Sequence, residues 1–557
     1  MANRLNRRGL LKIGGAAAAA PYLWLPARAE EPAWATETVG PFVEVEIANG
    51  RIRGGHSRGA LAFKAIPYAA PPTGRNRFKA PTKATPWSGV LDATRLGHPP
   101  LQAPGGTYGE HEPAYSEDCL VLNVWTPAVK DGGMRPVMFY CHGGGFNAGS
   151  GGQNIQDGAH LAALYDVVVV AVNHRLGLFG FLYLGELGGT EYASSGNQGM
   201  LDIVAALAWV KENIAVFGGD PGNVMVFGES GGGAKTSALL AMPAAHGLLH
   251  KAGIQSGAML DGATKEAATE TALRVLAGLG IAPNALDKLA DVPAEKILAV
   301  QLAGSKGPLA VPTKDWLARH PKPDRNDQAG NWGPVVDGSV LPNNPFDPVA
   351  PAMSANVPLL IGNTKEEAIF WLRDTPDFFR GDITALTALA HQQLGAMADP
   401  ILAVYRHSRP QASPQELGIA IMTAMSFGNA TTTLADRKSH QPAPVYRYRY
   451  DYPSNVPVKG TDWTYRSGHA SDISLVFANY EILDLQGNGP GLAEAGKAMS
   501  SYFASFARSG VPSAKDQPQW PRYDTQSRAV MLLNSQCRVA NDPDSEERKF
   551  WQALGKG

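Results

Sequence analysis

The sequence has only three cysteines in 557 residues, Cys119, Cys141 and Cys537. Three thiols cannot build a disulfide framework, and their spacing fits no zinc site. A surplus of one charge is also missing: 49 Lys+Arg stand against 50 Asp+Glu, a formal net charge of −1. Phosphate recognition needs a concentrated basic surplus, so the balance excludes a nucleic-acid partner. A mean hydropathy of −0.16, with charges scattered throughout, excludes a polytopic membrane protein. Core material is not lacking. Hydrophobic residues make up 44% and charged residues 18%, which excludes disorder for most of the chain and points to a soluble globular protein. The length suits two or three average domains, or one large α/β domain with insertions.

The first 29 residues read as an export signal. Arg7-Arg8 precede a mildly apolar, Ala-rich run over residues 13–25, and Ala27-Arg28-Ala29 places small residues where a signal peptidase reads. The run is too short to cross a bilayer of about 30 Å as a helix. Paired arginines before a weakly apolar stretch resemble a twin-arginine signal, so an exported product, periplasmic or secreted, is expected. Removal of residues 1–29 leaves 44 basic against 50 acidic residues, a net charge of −6, with no stable membrane insertion expected.

From about residue 42 to 260, strand-like and helix-like segments alternate. Residues 136–141 form a short apolar run ending at Gly143-Gly144-Gly145. The β-branched run Val167-Val168-Val169-Val170-Ala171-Val172 is expected of a strand buried on both faces. Residues 196–217 carry Leu201, Val204, Leu207, Ala208, Val210 and Ile214 at helical spacing, then stop at Gly218-Gly219-Asp220-Pro221-Gly222. Residues 224–227 read as a second buried strand, and residues 234–240 as a helix. This order predicts a mostly parallel sheet flanked by helices. Residues 357–362 and 445–451 read as further strands. Helix-forming insertions at about 262–330 and 372–440 are read as caps, because segments at strand ends carry function.

Gly228-Glu229-Ser230-Gly231-Gly232 is a G-x-S-x-G sequence set between a strand and a helix. A serine there sits on a tight, strained turn that lifts its hydroxyl clear of the sheet. Acyl transfer also needs donors for the oxygen that becomes negative, each removal costing about 2.7–4 kcal/mol of transition-state stabilisation. His142-Gly143-Gly144-Gly145-Phe146 follows a strand and offers backbone amides, with the Gly231 amide as a third donor. A phosphate loop is excluded, because Ala234 stands before Lys235-Thr236 where that motif demands glycine. Serine needs a base, and the base an orienting acid. The expected chain order is Ser, acid after a later strand, then His. Asn363-Thr364-Lys365-Glu366-Glu367 follows the 357–362 strand, and Gly468-His469-Ala470-Ser471-Asp472-Ile473 comes later. His391, His407 and His440 stand in helical or polar linker contexts.

These residues resemble the type-B carboxylesterase family of cholinesterases and bacterial aryl esterases. The likeness runs from about residue 42 to 535. It includes Phe63-Lys64-Ala65-Ile66-Pro67-Tyr68-Ala69 and Ser116-Glu117-Asp118-Cys119-Leu120-Val121-Leu122-Asn123-Val124-Trp125-Thr126-Pro127. A second long signature runs from Phe217-Gly218-Gly219-Asp220-Pro221-Gly222-Asn223 through Gly228-Glu229-Ser230-Gly231-Gly232. The resemblance implies an α/β-hydrolase fold: a mostly parallel central sheet flanked by helices, with helical cap insertions, in a single domain over residues 30–557. It places the nucleophile at Ser230, the histidine at His469 and the acid at Glu367, with Glu366 as the neighbouring alternative. The oxyanion donors fall on Gly144, Gly145 and Gly231, the last usually alanine, so a looser turn is expected there. Glu229, Ser256 and Asp472 fall in supporting positions around the histidine and nucleophile.

Two departures stand out. Pro100 precedes Leu101-Gln102 where many relatives place a cysteine bonded to the one at Cys119, so a buried free thiol is expected. The interval between those positions holds Tyr108 and Tyr115 but no tryptophan, which argues against a quaternary-ammonium site. The resemblance implies an exported serine carboxylesterase acting on small-molecule esters of aryl or bulky alcohols, with no metal or organic cofactor. An amidase or acyltransferase using the same three side chains, and a non-catalytic adhesion homologue, are the alternatives.

Overall fold

The computed structural model describes residues 39–103, 114–306, 332–482 and 485–554. The expected export signal, Tyr108 and residues 307–330 of the first expected insertion lie outside the described residues. The chain forms two compact units. The larger takes in the described residues up to Pro358 together with Ala507–Val511; the smaller takes in Leu359–Phe506 and the described residues from Pro512 onward.

In the larger unit the strands are β1 (Val39–Ile47), β2 (Gly50–Ser57), β3 (Ala60–Pro67), β4 (Val90–Asp92), β5 (Val121–Thr126), β6 (Arg135–Cys141), β7 (Val168–Val172), β8 (Gly219–Glu229) and β9 (Lys251–Gln255). They order as β1-β2-β3-β5-β7-β6-β8-β9, with β4 beside β2. The β7-β6-β8-β9 portion is parallel, whereas β1, β2, β3, β5 and β7 pair antiparallel in turn. Composition explains the division. Every residue of β7 and β9 is buried, as both-face coverage requires of parallel strands. Strand β1 instead alternates at its end, with Val45 and Ile47 inside and Glu46 outside.

The expected helix over 196–217 is an α-helix at Gln198–Asn213 continued by a 3₁₀ turn at Ile214–Phe217. It stops where Gly218 takes a left-handed φ of 72°. Asp202 on this helix holds Arg175 through a two-pronged buried ion pair, with contacts at 2.6 and 2.8 Å. The Lys265–Leu279 and Ala294–Lys306 helices occupy the first insertion.

In the smaller unit, β10 (Leu359–Thr364), β11 (Val445–Tyr450) and β12 (Ala529–Leu533) are parallel, and β13 (Arg538–Asn541) closes the edge antiparallel to β12. The alternation in β11 buries Tyr446, Tyr448 and Tyr450 and leaves Arg447 and Arg449 half-buried. Arg449 then pairs with Asp451 and Asp544. Residues 383–439 are largely helical and have a core of their own: Leu386, Ile401, Leu402, Tyr405, Leu417 and Ile421 pack together, with Phe550 and Trp551 against them.

Candidate active site

Strand β8 ends at Glu229, and the next residue turns the chain into the Gly231–Leu239 helix. Ser230 makes that turn at φ 55°, ψ −122°. Such a conformation costs a side-chain-bearing residue of order 1–3 kcal/mol and persists only where its surroundings impose it. Here the Ser230 amide donates to the Gln255 carbonyl at 2.8 Å, and the Ser230 carbonyl accepts from Ala234 at 3.1 Å. Glycines let main chain close in from all sides. A methyl group at Gly232 would overlap the Cys141 carbonyl, and one at Gly257 would overlap the Ser230 carbonyl.

The 143–145 loop lies directly on this turn. Gly144 and Gly145 have φ of 83° and 63°, open to glycine at no steric cost. The Gly144 carbonyl accepts from the amides of Asn147 and Ala148 at 3.2 and 3.0 Å, which closes the loop. Farther along, the buried Gln102 amide holds Gly149 by two hydrogen bonds of 2.8 and 3.0 Å. The looser turn expected at Gly231 is not found. The space an alanine methyl would take is occupied by the Gly145 backbone. Among the described residues, the amides of Gly144, Gly145 and Gly231 donate to no protein acceptor. Three N–H groups are thus left for an incoming anion.

Beneath the loop lies a group that sequence reasoning used only to exclude a phosphate site. Lys235 is wholly buried, and its ammonium donates to the His142 carbonyl at 2.8 Å. The His142 ring stacks on His174 with centroids 4.9 Å apart. Burial first, and then the Lys235 charge, holds both imidazoles well below their ordinary range. Glu229 is buried at the end of β8, and Ser256 is buried just past β9.

The smaller unit holds the other expected residues. Glu367 is fully buried just past β10, and its Oε1 accepts from the Thr364 amide at 2.7 Å. Its Oε2 lies 2.5 Å from His469 Nδ1. A carboxylate oxygen accepts, so this contact places the hydrogen on Nδ1 and makes Nε2 the basic nitrogen of the ring. Glu366 does a different job: it pairs with Arg466 at 3.0 Å and accepts from the Ser467 amide at 3.1 Å. Consecutive acids thus fix consecutive parts of the histidine loop. Tyr465 adds a hydrogen bond of 2.6 Å to the His469 carbonyl. Asp472 is buried at the head of the Ile473–Val476 helix, with Tyr448 donating to it at 3.4 Å.

Three rings around the imidazole were not foreseen. Phe427 and Trp371 have centroids 4.7 and 4.8 Å from His469, and Phe370 lies at 5.6 Å. Trp371 stands four residues after Glu367, a spacing legible in the sequence. Phe427 is placed by a π-helical turn at Ala424–Gly428, for which the sequence carries no signal.

Cys119, Cys141 and Cys537 are buried free thiols. Burial pushes Cys141 up to about 12 and Cys119 higher still, so neither is a nucleophile near neutrality. Among the described residues, no three His, Cys, Asp or Glu side chains are grouped to hold a metal ion, and no helix is long and apolar enough to cross a membrane.

A strained serine at a strand–helix turn beside glycine amides in the larger unit, and an acid–histidine pair in the smaller, are the groups a hydrolase of the serine type uses. Residues 41–551 match the carboxylesterase family. The para-nitrobenzyl esterase of Bacillus subtilis (strain 168) is 37% identical over 507 residues, covering 90% of this chain and 96% of that protein. A liver carboxylesterase of Sus scrofa is 33% identical over 580 residues, covering 96% of each. Among solved structures, a Geobacillus stearothermophilus carboxylesterase superposes with a TM-score of 0.76 at 36% identity, covering 91% of this chain and 100% of that one. The chain belongs to the carboxylesterase family, has the α/β-hydrolase fold, and is a carboxylic ester hydrolase.

Proposed function

We propose that the chain hydrolyses carboxylic esters through Ser230, His469 and Glu367. The observation that carries this reading is the Glu367–His469 hydrogen bond of 2.5 Å, made by a carboxylate already fixed by the Thr364 amide. His469 Nε2 takes the Ser230 proton as Oγ attacks the ester carbonyl. The carbonyl oxygen becomes negative and is held by the amides of Gly144, Gly145 and Gly231. His469 then returns the proton to the departing alcohol, leaving Ser230 acylated. Water repeats the sequence and releases the acid. Glu229, Ser256 and Asp472 support the charge and shape of the site from buried positions.

The preferred substrates are esters of aryl or bulky alcohols. The rings of Trp371 and Phe427 beside the imidazole support this, as does the name para-nitrobenzyl esterase borne by a relative. The protein is exported by its twin-arginine-type segment, which N-terminal sequencing of the periplasmic product tests. For the chemistry, rapid mixing with 4-nitrophenyl acetate should give a burst of nitrophenol equal to the enzyme present, lost in Ser230→Ala. A Ser230→Ala enzyme with full turnover, or a native enzyme that a fluorophosphonate never labels, would overturn the mechanism.

A further inference from the structure

Lys235 lies five residues after Ser230, and its charge needs a reason. Among the described residues it makes no ion pair; its contacts are the His142 carbonyl at 2.8 Å and the Phe146 ring, whose centroid lies 5.5 Å from Nζ. His142 stands immediately before the three glycines of the loop, and Phe146 immediately after them. One buried cation therefore grips both ends of the 143–145 segment. An apolar side chain of similar length would fill the same space without the cost of burying an ammonium.

We propose that Lys235 is a positioning residue for ester hydrolysis: it fixes the glycine loop at both ends and holds a positive charge behind the amides of Gly144 and Gly145. This rests on the reading that those amides bind the oxyanion. Charge-assisted hydrogen bonds are roughly twice as strong as neutral ones, so the protonated form is the one that holds the loop. Facing Lys235 are Cys141 at the end of β6, His142 and His174 in the segments after β6 and β7, and Glu229 at the end of β8. Burial brings the ammonium down to about 7, against a smaller upward pull from Cys141 and Glu229. His142 and His174 stay neutral beside it. The charge is therefore present on the acid side of neutrality and lost as pH rises through about 7.

The test compares the full-length enzyme with Lys235→Met and Lys235→Gln, using 4-nitrophenyl acetate and an aryl trifluoromethyl ketone, which forms the tetrahedral oxyanion on serine. Lys235→Met is expected to lower kcat about tenfold and ketone affinity about tenfold, with KM changed less than about twofold. Lys235→Gln keeps a donor but no charge and should fall between. The native enzyme should lose activity and ketone affinity as pH rises from 7 to 9, and both variants should lack that decline. Variants with native kcat, native ketone affinity and the native alkaline decline would overturn the proposal. If neither variant folds, the native enzyme decides alone, because ketone affinity that stays flat from pH 7 to 9 refutes it. A native enzyme that binds the ketone no better than substrate would instead sink the oxyanion reading itself. Tight native binding with an indifferent Lys235→Met enzyme sinks only the role of Lys235.

Discussion

Replacing Gly231 by alanine should leave the protein folded and nearly stop turnover. Two effects oppose each other. Alanine is the better helix former by up to about 1 kcal/mol, and Gly231 opens the Gly231–Leu239 helix. Against that, the new methyl would stand 2.5 Å from both the Cα and the carbonyl carbon of Gly145. Carbon atoms in contact belong about 3.5–4.0 Å apart, so the loop must retreat by about 1 Å. Donors to an oxyanion work at about 2.7–3.1 Å, and a retreat of that size takes the Gly145 amide out of reach. One lost donor corresponds to about 2.7–4 kcal/mol, or a 10²–10³-fold fall in kcat, while KM stays nearly constant because the contact is made in the transition state. The overpacking itself costs about 1–3 kcal/mol of stability, partly offset by the helix gain. Burst and steady-state release of nitrophenol measure the first effect, and thermal unfolding the second. A Gly231→Ala enzyme with kcat within about twofold of native would refute the reasoning.

Three further outcomes follow from the same geometry. Glu367→Gln should lower kcat by about 10⁴-fold through loss of the correct histidine tautomer, while Glu366→Gln should be mild because its partner Arg466 is partly exposed; steady-state kinetics giving the reverse ranking would reassign the acid. Asp202→Asn should destabilise by about 3–5 kcal/mol in urea unfolding, because it strands the buried Arg175 charge; a cost under about 1 kcal/mol would contradict the buried pair. His142 and His174 stay neutral in the folded protein, whereas the unfolded chain binds protons there below its ordinary value of about 6.5. Their contribution to stability is therefore intact above that pH and is lost as pH falls, by about 1.4 kcal/mol per pH unit for each ring. Urea midpoints at pH 7.5 and 5.5 should differ accordingly, with a shallower slope in His174→Gln; equal slopes would rule this out.

The parallel strands β7 and β8 were legible because burial on both faces writes a continuous apolar run, whereas the segment after β10 offered two acids, Glu366 and Glu367, and only the family resemblance favoured the second. Ser230 announced itself by the glycines its turn requires. What the sequence concealed is what depends on packing between segments remote in the chain. Lys235 looks like an ordinary helix-surface lysine until β6 and its loop close over it. Phe427 reaches His469 only because a helix widens by one residue at Ala424–Gly428. The absent methyl at Gly231 suggested slack, whereas the Gly145 backbone occupies that volume.

The groups that crowd the glycines beside Ser230 are peptide groups rather than side chains: Gly145 against Gly231, Cys141 against Gly232 and the Ser230 carbonyl against Gly257. Substitution cannot recolour a wall that has no side chains, so the machinery for breaking the ester offers evolution almost no dial to turn. Divergence in diet, toward larger, flatter or more polar esters, must then be written in more distant parts of the polypeptide. For anyone redesigning this enzyme, the place to randomise is the helical insertions, and the place to leave untouched is the few glycines beside Ser230.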